Sequence, residues 1–274
     1  MTGPAVLHRP DRIYDGYGLD LDGTVYLDDA LLPGAAETIR ALRGHGARIV
    51  FATNKPLATA ATYAAKLTAL GVEARVEDVV TALDSLVRYL TRTHPGARLL
   101  MVAEPLVGEV CRRAGFAVVT EPDAATVVVV SFDRTFDYAK LLAAYRAVRR
   151  GAVIVATNPD PYCPTADGGL PDCAAMLAAV EACTGRAAEA VVGKPSTHMG
   201  AAILERLGVA PEHAAMVGDR LATDVAMGQC LGMAGVLVLS GATRIEDVAG
   251  APAPPDFVVP TLAEVIPHTG SHAR

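Results

Sequence analysis

The stretch Asp20-Leu21-Asp22-Gly23-Thr24 places two carboxylates one residue apart, directly before a Gly-Thr turn. The preceding residues, Tyr17-Gly18-Leu19, are typical of the end of a short strand, and side chains at i and i+2 of a strand point to the same side. If the chain bends after Asp22, one acid can attack a substrate while the other stands over the leaving group. Two solvated acids in a turn would have the same sequence, so the pair alone only suggests a catalytic site.

Polar residues also follow three later apolar runs. These are Thr53-Asn54-Lys55, then Gly193-Lys194-Pro195-Ser196, and finally Gly218-Asp219-Arg220 with Asp224 on the next helical turn. A hydroxyl and an amide at the first of these places can hold phosphate oxygens. The lysine of the second precedes a helix predicted to open at Pro195, so it lies near a positive helix end. Asp224 has an alternative role, because it could simply cap its helix or pair with Arg220.

Apolar runs typical of strands alternate regularly with helical patterns along the chain. Helices are predicted over 81–93 and 223–231, for example, and strands over 48–52 and 152–156, while 158–172 is predicted to be a loop rich in Pro, Gly and Asp. Such alternation predicts an α/β fold with a mostly parallel, doubly wound sheet. Ligands of that fold bind beyond the carboxyl ends of the strands, so the four polar groups are expected at one sheet edge.

The chemistry of this set is specific. Clustered carboxylates repel one another and require a cation, and a few hard oxygen ligands with room for water and phosphate suit Mg²⁺. A carboxylate nucleophile, a metal ion and a lysine together suit phosphoryl transfer through an aspartyl-phosphate.

Composition narrows the classes further. The chain has 274 residues, a formal net charge of −6, 51% hydrophobic residues and 20% charged residues, which are globular values and exclude a disordered chain. The negative charge argues against binding to nucleic-acid polymers or anionic membranes. No apolar run is long enough for a membrane span, residues 1–12 do not resemble a secretory signal, and five cysteines without CxxC spacing indicate reduced thiols. A cytoplasmic protein is therefore expected.

Four motifs in order, DLDGT, TNK, GKPS and GDRLATD, resemble the haloacid dehalogenase superfamily of phosphatases. Between them, Ser131-Phe132-Asp133-Arg134, Thr157-Asn158-Pro159-Asp160 and Leu170-Pro171-Asp172 resemble the inserted cap of the type IIA, NagD-like branch. The resemblance implies a Rossmann-like catalytic core built from residues 1–80 and 188–274. It also implies an α/β cap, residues 81–187, that closes over the acids and recognises the substrate.

The resemblance also implies catalytic roles. Asp20 is the expected nucleophile. Asp22 is the expected general acid for the leaving group and then the base that activates water. Lys194 is expected to balance the charge of nucleophile and phosphate, while Thr53 and Asn54 hold phosphoryl oxygens.

The expected metal ligands are Asp20, Asp22 through its main-chain carbonyl, Asp219 and Asp224. The branch has TNN where this chain has Thr53-Asn54-Lys55, so Lys55 is either a cationic contact to the substrate or a surface lysine. The cap loop could line the substrate pocket or merely form turns, and its candidate residues are Asn158, Asp160 and Asp172.

The function expected from this set is Mg²⁺-dependent hydrolysis of a small phosphate monoester. Sugar phosphates, nucleoside monophosphates and polyol or acid phosphates are the candidate substrates. The alternatives on the same fold are a phosphotransferase and a phosphometabolite-binding protein without turnover. The expected partner is a small phosphorylated metabolite, with no nucleic-acid polymer and no membrane, and a homodimer through the cap is a further expectation.

Overall fold

The computed structural model describes residues 7–165 and 168–267 and divides the chain into two compact units. The first unit comprises Met1–Ala52, Tyr63–Val79 and Gly200–Arg274, and the second comprises Thr53–Thr62 and Val80–Met199. The assignment of 1–80 and 188–274 as catalytic core, and of 81–187 as cap, stays a prediction.

Strands occur in both units. In chain order they are β1 (Gly16–Asp20), β2 (Tyr26–Leu27), β3 (Ala30–Leu31), β4 (Arg48–Thr53), β5 (Val79–Thr81), β6 (Arg98–Val102), β7 (Ala117–Val118), β8 (Val127–Val130), β9 (Val153–Ala156), β10 (Tyr162–Thr165), β11 (Gly168–Pro171), β12 (Ala190–Val191), β13 (Ala214–Gly218), β14 (Ala234–Val238) and β15 (Phe257–Val259).

The helices alternate with them. They are α1 (Ala35–Gly44), α2 (Ala60–Ala69), α3 (Ala82–Thr93), α4 (Pro105–Arg113), α5 (Tyr138–Arg149), α6 (Cys173–Thr184), α7 (Thr197–Leu207), α8 (Ala226–Cys230) and α9 (Ile245–Val248).

One six-stranded sheet has the order β15-β14-β13-β1-β4-β5. The pairings of β1 with β13 and β4, and of β14 with β13 and β15, are all parallel. Every residue of β1 and β13 is buried, which explains why these strands are nearly continuous apolar runs rather than alternating ones. Parallel strands between helices confirm the α/β, doubly wound prediction.

The second unit has its own parallel sheet, in the order β12-β9-β8-β6-β7. Val128, Val130 and Ile154 pack on one side of it against α5 and α6, while Leu99, Val127 and Val129 pack with residues of α3 and α4. This unit therefore has a hydrophobic core of its own, as an inserted domain requires.

Local signals account for several helix ends. The Thr81 hydroxyl accepts from the Asp84 amide while the Asp84 carboxylate accepts from the Thr81 amide, which is a capping box at the start of α3. Asp172 caps α6, and Gly185, with φ of 66°, ends it.

Two elements differ from the predictions. The segment 158–172, predicted to be a loop, contains the antiparallel hairpin β10–β11. The helix predicted over 223–231 begins instead with a π-helical turn, Leu221–Val225, and continues as α8. In addition, β2 and β3 form a small hairpin after the first acidic motif that the sequence pattern did not indicate.

Among the described residues, no helix is both long and apolar enough to cross a membrane. No disulfide joins the five cysteines, all of which lie in the described ranges.

Candidate active site

Three carboxylates come together in the first unit, from Asp20, Asp219 and Asp224. Asp20 ends β1, and Asp219 directly follows β13, the parallel neighbour whose register pairs Leu19 with Val217. Because both strands point the same way, their carboxyl ends lie at one sheet edge. One carboxylate oxygen from each of the three residues lies within 4.8 Å of the others.

The three acids are almost fully buried, with relative exposures of 6% for Asp20, 3% for Asp219 and 1% for Asp224. The Thr24 hydroxyl donates to Asp20 Oδ2 at 3.2 Å, and the Ala242 amide donates to Asp219 Oδ2 at 2.6 Å. Buried carboxylates this close together repel unless a cation or a proton neutralises them. The geometry therefore calls for positive charge at this place.

Asp224 lies in the π-helical turn, a feature that occurs frequently at functional sites. Its Oδ2 accepts from the Arg220 amide at 3.2 Å and from the Thr223 hydroxyl at 3.3 Å. The capping role considered from sequence is thus present in the structure, and the same carboxyl group also belongs to the acidic cluster. A side chain at Gly218 would place its Cβ 2.1 Å from Asp224 Cγ, so glycine is needed for this close approach.

Asp22 is half-buried and lies in a tightly hydrogen-bonded turn. The Leu21 carbonyl accepts from the amides of Thr24, Val25 and Tyr26, and the Gly23 amide donates to the Tyr26 carbonyl at 2.7 Å. Asp22 is not one of the three clustered carboxylates. Its predicted contact with a metal through the main-chain carbonyl stays a prediction.

Two further residues of this region were not predicted. The Ser240 hydroxyl, two residues after β14, donates to the Gly23 carbonyl at 2.7 Å. Ser240 could have been predicted from sequence, because it is a polar residue just after an apolar strand, like the other candidates. Tyr26 is 1% exposed, and its hydroxyl has no hydrogen-bond partner in the described part of the chain. Burial, and next the charge of Asp22, raise the pKa of Tyr26, so it stays a neutral phenol beside the acids. No signal in the sequence distinguishes it from a core tyrosine.

The second unit contains the TNK and lysine motifs. Thr53 is the last residue of β4, directly after Ala52, which is paired in register with Asp20. Its Oγ1 accepts from the Lys55 amide at 3.1 Å, which leaves the hydroxyl proton as a donor. Lys55 is half-buried, and its predicted contact with substrate stays a prediction.

Asn54 and Lys194 are joined directly. The Lys194 amide donates to Asn54 Oδ1 at 2.8 Å, and Asn54 Nδ2 donates back to the Lys194 carbonyl at 3.0 Å. Lys194 is 2% exposed, and a buried ammonium group requires acidic or polar partners. The helix predicted to open at Pro195 begins at Thr197, two residues later.

The cap-loop candidates Asn158, Asp160 and Asp172 are all buried in the second unit. Asn158 Nδ2 donates to Asp160 Oδ2 at 2.9 Å and to Asp172 Oδ1 at 3.3 Å. Asp172 Oδ1 also accepts from the Cys173 amide at 2.6 Å. The structure therefore places these three residues in one hydrogen-bond network, and their contact with a substrate stays a prediction.

Comparison with known proteins gives one consistent answer. A family model described as haloacid dehalogenase-like hydrolase matches residues 17–117, and another described as HAD-hydrolase-like matches residues 191–265. The sugar-phosphatase AraL of Bacillus subtilis is 33% identical over 250 residues, covering 91% of this chain and 91% of that protein.

Solved structures agree with these matches. A 4-nitrophenylphosphatase from Thermotoga maritima has a TM-score of 0.86 and 37% identity, covering 92% of this chain and 96% of its own. NagD from E. coli K-12 has a TM-score of 0.83 and 29% identity, covering 92% and 98%. A glycerol phosphate phosphatase from Mycobacterium tuberculosis, in complex with magnesium, has a TM-score of 0.84 and 32% identity, covering 93% and 77%.

Proposed function

The chain belongs to the haloacid dehalogenase-like hydrolases, in the NagD-like branch, and from that premise we propose that it is a Mg²⁺-dependent phosphatase of small phosphate monoesters. The observation that carries the proposal is the gathering of Asp20, Asp219 and Asp224 within 4.8 Å. A protein with a purely structural role gains nothing from three buried, mutually repelling carboxylates, whereas a metal-dependent phosphoryl-transfer enzyme requires them.

The donor set fits Mg²⁺. All three side chains offer hard carboxylate oxygens, and Mg²⁺ is bound by a small number of carboxylates with water and substrate phosphate as its other ligands. The magnesium complex of the glycerol phosphate phosphatase supports this choice. When bound, Mg²⁺ supplies positive charge that offsets the repulsion between an attacking carboxylate and a phosphate.

In the proposed first step, a carboxylate oxygen of Asp20 attacks phosphorus, and the bond from phosphorus to the ester oxygen breaks. Asp22 gives its proton to the departing oxygen, so the alcohol leaves neutral and Asp20 becomes an aspartyl-phosphate. Asp22 is half-buried and therefore accessible to water, while Asp20 is held by Thr24 in the buried cluster.

In the proposed second step, Asp22 removes a proton from a water molecule whose oxygen attacks the phosphorus of the aspartyl-phosphate. The bond between phosphorus and the Asp20 oxygen breaks, which releases inorganic phosphate and restores the carboxylate. Protons and charge therefore balance over the whole cycle, because Asp22 takes from water a proton that replaces the one it gave to the leaving group.

Thr53, Asn54 and Lys194 are proposed to hold the phosphoryl group. The Thr53 hydroxyl keeps its proton available for a phosphate oxygen. Both amide protons of the Asn54 side chain are already donated, to Asp160 and to the Lys194 carbonyl, so a phosphate contact from Asn54 falls to its main-chain N–H. The ammonium group of Lys194 would balance the charge of nucleophile and phosphate.

The proposed substrates are phosphorylated sugars and polyols. The names of the relatives, a sugar-phosphatase and a glycerol phosphate phosphatase, support this class over nucleotides. Residues 81–187, which include the β10–β11 hairpin and most of the second unit's hydrophobic core, are proposed to act as the cap that recognises the substrate body.

The test is phosphate release from a panel of sugar, polyol, nucleoside and acid monophosphates, with Mg²⁺ and with chelator. Metal-dependent release from wild-type protein, absent from Asp20→Asn, is the expected result. No release from any compound, by folded protein with Mg²⁺, would contradict the proposal and favour a binding protein. New phosphoesters formed when alcohols are added, in place of free phosphate, would identify a phosphotransferase.

A further inference from the structure

The carboxylate of Asp160 lies where three loops of the second unit meet. Its Oδ2 accepts from Asn54 Nδ2 at 2.8 Å and from Asn158 Nδ2 at 2.9 Å. Its main-chain carbonyl accepts from the Ala174 amide at 3.1 Å, in the first turn of α6. Asp160 is 7% exposed, so these bonds are shielded from water and are stronger than equivalent bonds at the surface.

Asn54 can adopt one amide orientation in this arrangement. Its Nδ2 donates to Asp160 Oδ2 and to the Lys194 carbonyl, and its Oδ1 accepts from the Lys194 amide. If the amide were flipped, the oxygen would face a carboxylate and a carbonyl, and the NH₂ group would face an N–H donor. Asp160 and the main chain of Lys194 together fix the orientation of Asn54, and the side chain of Asn54 bonds both the amide and the carbonyl of Lys194.

The residues around Asn54 and Lys194 are closely packed. The Gly193 amide donates to the Thr157 carbonyl at 2.8 Å. A Cβ on Gly193 would lie 2.5 Å from that carbonyl oxygen and 2.6 Å from Asn54 Oδ1, so even a methyl group does not fit. A loop packed this closely transmits displacement at one residue to its neighbours.

The network continues away from the lysine. The Thr157 hydroxyl donates to Asn158 Oδ1 at 2.8 Å, and Asn158 also reaches Asp172, the cap of α6. Asp160 and Asp172 flank the β10–β11 hairpin in sequence, and the Asp172 amide donates to the Pro161 carbonyl at 3.0 Å. One oxygen atom of Asp160 thus joins the loops of Asn54 and Lys194 to the base of this hairpin.

We propose that Asp160 is a positioning residue, which holds Asn54 and through it Lys194 in place and ties both to the base of the β10–β11 hairpin. The inference rests on the proposed function, because it assigns Asp160 to the support of the phosphate-binding groups. It also gives Asp160 a role other than direct contact with the substrate body. A carboxylate is needed because one anionic oxygen accepts two charge-assisted bonds, whereas an amide oxygen makes weaker ones.

The experiment compares Asp160→Ala and Asp160→Asn with a matched control, Asp133→Asn. Asp133 is another buried acid of the second unit, but its carboxylate accepts from Thr135 and from Lys140 Nζ. The readouts are kcat and KM for 4-nitrophenyl phosphate, the inhibition constant of inorganic phosphate, and Tm. The kinetic readouts are measured well below the Tm of each variant.

We expect Asp160→Ala to lower kcat/KM by about tenfold to a hundredfold, as loss of supporting groups behind catalytic residues does, and to weaken phosphate binding. Asp160→Asn, which keeps one acceptor oxygen in place, is expected to fall between Asp160→Ala and wild type. Asp133→Asn is expected to lower Tm. Its kcat and its inhibition constant for inorganic phosphate are expected to stay within about twofold of wild type.

Two results would overturn the inference. One is an Asp160→Ala protein with wild-type kcat/KM and phosphate affinity. The other is an equal kinetic loss in Asp160→Ala and Asp133→Asn at matched loss of Tm, because that would assign Asp160 to folding alone. Failure of the proposed function looks different, since the wild-type protein would then release no phosphate. Phosphate binding, measured by calorimetry on wild type and Asp160→Ala, would still test the positioning role in that case.

Discussion

Removing one negative charge from the acidic cluster should raise the stability of the metal-free protein and reduce the further stabilisation that Mg²⁺ gives. The substitution is Asp224→Asn, which keeps an oxygen able to accept from the Arg220 amide and the Thr223 hydroxyl. What it removes is the negative charge that lies within 4.8 Å of the oxygens of Asp20 and Asp219. The two effects have opposite signs, so a general loss of folding cannot produce both.

The magnitudes follow from that distance. Two unit charges 4.8 Å apart repel by about 3.5 kcal/mol at an effective dielectric constant of about 20. Hydrogen bonds to these carboxylates offset part of this repulsion, so we expect a measured gain of about 1–3 kcal/mol in chelator. With Mg²⁺ at about one hundred times its dissociation constant, wild type gains about 2.7 kcal/mol, and a hundredfold weaker site gains only about 0.4 kcal/mol.

The assay is Tm by calorimetry or fluorescence, in chelator and across a Mg²⁺ titration. A gain of 1 kcal/mol corresponds to a rise of about 2–4 °C for a chain of this size. Asp224→Asn should therefore have a higher Tm than wild type in chelator and a smaller rise with Mg²⁺. Asp133→Asn is the control, because its carboxylate is paired with Lys140 and its loss should lower Tm equally in both conditions. A lower Tm for Asp224→Asn in chelator, with an unchanged Mg²⁺ response, would refute the reasoning.

Two other perturbations have defined outcomes. Glu104 accepts from Arg134 Nε and its other guanidinium nitrogen, and these hydrogen bonds lower the pKa of Glu104 from 4.5. A depressed carboxyl pKa contributes stability at pH values above the pKa of the unfolded chain, and this stability is lost as the pH falls through the pKa of the folded protein. The free energy of unfolding in urea should therefore fall more steeply below about pH 5 in wild type than in Arg134→Gln. Parallel pH curves for the two proteins would contradict this. Gly218→Ala should cost about 1–3 kcal/mol and most Mg²⁺-dependent activity, because its Cβ would meet Asp224 at 2.1 Å. Gly44→Ala, where a Cβ meets nothing within 4 Å, is the control, and equal activity of the two variants would contradict the close-approach argument.

The sequence predicts most of the fold because its elements are specified locally. The helix predicted over 81–93 is α3, Ala82–Thr93, since the Thr81–Asp84 capping box is visible in the letters. The strand predicted over 152–156 is β9, Val153–Ala156, since it is a short apolar run between a helix and a loop. Signals of this kind depend only on neighbours in the chain.

The elements that the sequence does not indicate depend on distant contacts. The β10–β11 hairpin contains Pro164 and Pro171 and shows no apolar alternation, so its letters indicate a loop. The π-helical turn at Leu221–Val225 keeps nearly helical periodicity. It differs from an α-helix by one hydrogen-bond register, which periodicity does not resolve.

The candidate site divides in the same way. Asp20 and Asp219 could be placed together because acids at neighbouring parallel strand ends share one edge, and Asp224 follows Asp219 on the next helical turn. Asn158, Asp160 and Asp172 could equally have formed exposed turns. Their burial in one network depends on how residues 54, 158 and 194 pack together, and no spacing along the chain encodes that.

The most direct test of the account is the covalent state of Asp20 during turnover. Wild-type protein would be mixed with 4-nitrophenyl phosphate and Mg²⁺, quenched in acid within the first turnover, digested and analysed by mass spectrometry. Attack by Asp20 should leave one added phosphoryl group on the peptide that contains Asp20, absent with chelator and absent from Asp20→Asn. Turnover with a phosphoryl group on another residue, or undiminished turnover by Asp20→Asn, would contradict it.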